Sequence, residues 1–168
     1  HHTWLQIGAE AARAYADQAL AIARAARNSH TLANALMVVG LVLSSGENID
    51  GARSALEESL TLFRGVQDPW GHAVALMCLG FVASRGVDQA TALELGERAL
   101  TALRDLGDQY FQGVCLYLTG TLRAMQGDWD RGLAELRESL TLSRALAAQY
   151  EIANGLLRLA DAEQALAH

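Results

Sequence analysis

Glycine recurs at a fixed interval in a setting that helices avoid. "LMVVG" fills 36–40, "LMCLG" fills 76–80 and "LYLTG" fills 116–120, with "LLRLA" in the same phase at 156–160. A glycine inside a helix costs about 0.8–1.0 kcal/mol against alanine, so three in register mark a recurrent steric need. The period extends beyond the glycine. Leu20, Leu60, Leu100 and Leu140 form one column, and Arg24, Arg64, Arg104 and Arg144 a second. Ala19, Ser59, Ala99 and Ser139 form a column of small residues, Leu36, Leu76, Leu116 and Leu156 a fourth, and Gly40, Gly80, Gly120 and Ala160 a fifth. Columns in phase over 40 residues predict a stack of repeats, each burying its apolar face against its neighbours.

Each repeat reads as two helices. Leu76, Leu79, Gly80 and Ala83 carry the helical period of the first. A break follows at Gly46, Gly86 or Gly127, and then a second helix such as "DRGLAELRESLTLSRAL". Asp68 before Pro69 supplies an N-cap acceptor and a proline for the first turn, and Asp108 and Asp128 can cap in the same way. The spacing predicts helices over 3–27, 29–45, 48–66, 69–86, 88–106, 108–126, 128–146 and 149–167, joined by short connections that make neighbours antiparallel. No segment alternates strictly over a strand length, so no sheet is expected. The expected fold is an all-α, antiparallel helix-pair solenoid forming one domain over 1–168. Its units are a partial 1–28, then 29–68, 69–108 and 109–148, and a partial 149–168. The repeated glycine then lets the partner helix approach closely. Ala52, Ala92 and Gly132, each twelve residues later, supply the small surface opposite.

Composition excludes several activities. All 13 basic residues are arginine, which with the abundant alanine points to a GC-rich bacterial gene. Without lysine there is no Walker-type phosphate loop and no lysine Schiff base. A net charge of −6 argues against direct nucleic-acid contact, which needs clustered positive charge. No apolar run reaches the roughly 18 residues that span a membrane. No basic leader with an apolar stretch opens the sequence, so a secretory signal is not expected. His1 and His2 read equally as a tag remnant or as native residues. Cys78 and Cys115 are isolated thiols in apolar helical runs, which reads as packing in a reducing cytoplasm. HExxH, GxSxG and Cys/His clusters are absent, so neither an enzyme, a metal nor a cofactor is expected.

Leu36-x2-Val39-Gly40 followed by Ala52-x3-Leu56 resembles the tetratricopeptide signature, which Leu116, Gly120, Gly132 and Leu136 repeat. "GDWD" at 127–130 is similar to a common start of that family's second helix. The chain departs in having leucine for the large aromatic, Leu43, Ala83 or Arg123 for the next ring, and a period of 40 instead of about 34. Longer repeats with "LxxxG" and "ESLxLxR" look like the tetratricopeptide-like regions of large bacterial LuxR-type and antibiotic-pathway transcriptional regulators. That resemblance implies a segment that senses an effector or binds a partner protein beside separate nucleotide-binding and DNA-binding domains. The alternative is a free-standing adaptor that binds peptides or assembles a complex. The family's lysine-containing carboxylate clamp has no counterpart here, so a chaperone cofactor is not implied.

By analogy with the family, the first helix of each pair lines a concave face. The columns are Asn34, Val74, Val114 and Asn154; Met37, Met77, Tyr117 and Leu157; and Leu41, Phe81, Thr121 and Asp161. From these, Asn34, Met37, Leu41, Val74, Met77, Phe81, Val114, Tyr117, Thr121 and Asn154 form the candidate groove. An apolar, aromatic middle suits an amphipathic helix of a protein partner or a small apolar effector. The competing reading is that the same residues only pack between repeats. The arginine column complements the negative helix ends and can reach Asp68 or Asp108. Trp70, Tyr110 and Tyr150, with His30 in phase, are expected to pack against the preceding helix end. Leu156, Leu157 and Leu159 lack a following partner, so self-association through the terminal helices is a further expectation.

Overall fold

Six of the seven connections lead into a helix through an Asn or Asp placed every 20 residues: Asn28, Asn48, Asp68, Asp88, Asp108 and Asp128. The computed structural model describes residues 2–45, 48–86 and 88–166, with side chains over 11–45, 48–86 and 88–165; His1 and the predicted break at Gly46 lie outside them. The helices are α1 (His2–Ala25), α2 (Ser29–Ser44), α3 (Ile49–Gly65), α4 (Pro69–Ser84), α5 (Gln89–Asp105), α6 (Gln109–Met125), α7 (Trp129–Ala145) and α8 (Gln149–Leu166). They agree with the expected ranges to within two residues at each end. The residues lost are mostly caps, which are not themselves helical. No strand occurs among the described residues.

Asn28, Asn48, Asp68, Asp88 and Asp108 accept from the backbone N–H three residues on, the ordinary N-cap bond. Asp128 departs from expectation. It occupies the N-cap position of α7 but makes no side-chain cap bond. Its carboxylate instead lies 3.9 Å from both Arg123 and Arg131, and their charge competes with the backbone for it. The turns from second to first helix repeat as well. Arg27, Gln67, Gly107 and Ala147 all have positive φ. Asp68 N donates to Phe63 O, Asp108 N to Leu103 O and Ala148 N to Ser143 O at 2.9–3.1 Å, which closes a Schellman motif each time.

Consecutive helices pack against one another along the whole order, giving a helical repeat solenoid. The even-numbered helices also touch in sequence (α2 with α4, α4 with α6, α6 with α8), whereas α3, α5 and α7 do not meet. Helices inside a curved stack approach more closely than those outside, so the even set lines the concave side. The glycine column occupies the expected seams. A Cβ at Gly40 would lie 3.2 Å from Ala52 O, one at Gly80 3.4 Å from Ala92 O, and one at Gly120 2.9 Å from Gly132 O. Two of the small-column serines lock pairs together, Ser59 Oγ donating to Ala33 O at 2.8 Å and Ser139 Oγ to Gly113 O at 2.7 Å. The core runs through the middle of the stack, from Leu56 and Leu76 to Leu103 and Leu116. No described helix is long and apolar enough to cross a membrane.

Candidate functional site: the concave face

Four-residue spacing on one helix brings Val74 near Trp70 and Cys78, and Met77 near Phe81, so α4 presents a continuous apolar stripe. Against it α2 sets Met37 and Leu41, and α6 sets Phe111. Together they enclose a cavity of about 530 Å³, closed at one end by Ser44, Ser84 and Arg85. The Arg85 guanidinium donates to Ser44 O, which ties the loop after α4 to the end of α2. A second cavity of about 320 Å³ opens on the other side of Phe81, lined by Val114, Tyr117, Tyr150, Glu151 and Asn154. Phe81 is the wall common to both.

Eight of the ten candidate residues therefore line one or other cavity, and two do not. Thr121 is turned toward a smaller apolar recess of about 160 Å³ formed with Met125, Trp129 and Arg158, and its hydroxyl donates to Tyr117 O at 2.7 Å. Asn34 donates its amide to His30 O at 3.0 Å and lines none of these cavities. A local backbone acceptor holds it at the rim. Val74 and Met77 correct the expectation in a different way. They are buried in the central core and form the floor of the larger cavity, while Leu41, Phe81 and Tyr117 keep exposed surface.

The aromatic column corrects a second expectation. Trp70 Nε1 donates to Asp108 Oδ2 at 2.8 Å, and its ring meets Phe111 edge-on at 5.7 Å. His30 Nε2 lies 3.0 Å from Asp68 Oδ2 in the same relation. The column thus reaches forward to the N-cap aspartate of the next repeat and does not pack on the preceding helix end. At the third step position 148 is alanine, and Tyr110 OH donates instead to Glu151 at 2.6 Å; that bond holds the phenol proton and raises the Tyr110 pKa. The arginine column also reaches forward. Arg104 pairs with Glu138 at 2.9 Å, not with Asp108.

The cavities carry little that could do chemistry. Cys78 lines the larger cavity, but burial pushes its pKa up to about 12, and burial does the same to Cys115. Both are thiols at neutral pH, not nucleophilic thiolates. Among the described residues no group of three or more His, Cys, Asp or Glu is placed to hold a metal ion. Polar groups at the ends, namely Arg85, Glu151, Asn154 and the Tyr117 hydroxyl that accepts from Arg158 Nε at 3.1 Å, suit orientation of a ligand. Trp70, Phe111, Arg85 and Tyr150 were missed as lining residues. Trp70 was recoverable, since it precedes Val74 by four and Met77 by seven on the same helical face. No protein-family model matches the chain, and a search of curated proteins found no significant match.

Proposed function

We propose that this chain is a binding module, tetratricopeptide-like in its repeat, whose concave face receives an apolar or amphipathic segment of a protein partner. The observation that carries this reading is the pair of apolar-walled cavities set in line along the even-numbered helices and sharing Phe81. Two recesses joined by one aromatic wall offer neighbouring sockets for anchor side chains, as a groove that takes an amphipathic helix does. Polar groups at both ends fix its direction, and the exposed edges of Leu41 and Phe81 remain for contact. The "LxxxG" and "ESLxLxR" pattern supports a setting beside the nucleotide-binding and DNA-binding domains of a bacterial LuxR-type regulator, where the groove would sense a partner or a small apolar effector.

Selection of peptides from a random amphipathic-helix library against the chain, followed by calorimetry, tests the groove. Selected peptides should lose about 2 kcal/mol or more of affinity on Phe81→Ala, as a central aromatic anchor does. Peptides that bind Phe81→Ala and the parent chain equally would place the interaction elsewhere.

A further inference from the structure

The two outer helices of the stack are unlike in kind. By phase α1 is a second-type helix, equivalent to α3, α5 and α7, and α8 is a first-type helix, equivalent to α2, α4 and α6. Inside the molecule a first-type helix is followed by a second-type helix three times over, at α2–α3, α4–α5 and α6–α7. Each outer helix presents one half of that same interface. Leu156 is 46% exposed, although its column partners Leu36, Leu76 and Leu116 are 2%, 3% and 1% exposed. Ala153 and Ala160 are exposed too, where Ala33, Ala73, Gly40 and Gly80 are buried. On α1, Ala12 and Ala19 are exposed, whereas Ala52, Ala92, Ser59 and Ala99 are fully buried.

We infer that a second copy of this chain docks end to end, with α1 of one molecule completing the helix pair begun by α8 of the other. The argument is continuity with an interface the molecule already builds three times: the open halves carry the same columns in the same register. Ala160 would meet Ala12 where Gly40 meets Ala52 and Gly80 meets Ala92. The new seam sets two methyl groups where the internal seams have one or none. A Cβ at Gly80 already approaches Ala92 O to 3.4 Å, so the new seam sits slightly wider and is weaker and reversible. This contact is separate from the concave groove and leaves it open. Because the two faces differ, the contact is heterologous and does not close on itself, so growth passes beyond the dimer.

Sedimentation velocity over rising concentration provides the test, with Ala12→Arg and Ala160→Arg as blocking variants at exposed positions. The parent chain should show an average mass that climbs past the dimer toward millimolar concentration. Each variant alone keeps one open face of one kind and should stay monomeric, with an unchanged helical circular dichroism spectrum. Mixed in equal amounts, they retain one complementary pair of faces and should give a dimer and nothing larger. A monomeric parent chain, continued growth of either variant alone, or a mixture that remains monomeric would each overturn the inference; in the first case the end faces belong to a different helix.

Discussion

Gly120 and Gly132 face each other across the α6–α7 seam, and what surrounds them is backbone. A Cβ at Gly132 would lie 2.9 Å from both Ala124 N and Gly120 O, so only movement of a helix can accommodate it. At Gly80 the nearest atom, also at 2.9 Å, is the terminal Cδ2 of Leu118, which can rotate away. We therefore expect Gly132→Ala to lower stability by a net ~1–2 kcal/mol, overpacking exceeding the gain in helix propensity. Gly80→Ala should be close to neutral. Urea melts of the two variants check the order, and a Gly132→Ala as stable as the parent would contradict close contact at that seam. His72 makes a separate prediction. Its Nε2 is buried without a hydrogen-bond partner, and burial first, then the charges of Arg64 and Arg98, lower its pKa. Since the unfolded chain takes up that proton at higher pH than the folded one, stability should fall as pH drops below about 6.5 toward the folded pKa. His72→Asn should flatten that part of the pH–stability profile between pH 7 and 5, and an unchanged slope would remove His72 as its source.

At the scale of the helix, boundary and partner were read with unequal success. The helix ranges were legible because the caps, the glycine breaks and the 3.6-residue period all point to the same ends, and Asp68 with Pro69 is the clearest case. The forward reach of Trp70 and Arg104 was not legible. Both contacts cross 34–38 residues, and they depend on how far each repeat is rotated against the next, which no local pattern encodes. Asp108 shows what that contact adds. It caps α6 by accepting from Phe111 N at 3.1 Å and also holds the Trp70 indole, whereas Asp88 caps α5 alone through Thr91 N. Asp108→Ala should therefore cost more stability than Asp88→Ala, beyond the ~1 kcal/mol of an ordinary cap. Equal losses in thermal melts would mean that the indole bond adds nothing between repeats.

Across the whole molecule, the curvature of the stack decides which apolar residues become core and which become wall. The columns place Val74, Met77 and Phe81 on one face of α4. Only the closeness of α2 and α6 determines that Val74 and Met77 are floor while Phe81 divides two cavities, which is why the sequence could name the face but not its depth. Phe63, by contrast, is fully buried between α2, α3 and α4 and serves as the internal standard for a core phenylalanine. The account rests on Phe81 belonging to an open groove. Equilibrium unfolding of Phe81→Ala beside Phe63→Ala tests it before any partner is known. Phe63→Ala should lose the ~3–5 kcal/mol of a core truncation, and Phe81→Ala about half of that or less. A loss at Phe81 equal to that at Phe63 would make it core and leave the concave face without the wall that joins its two recesses.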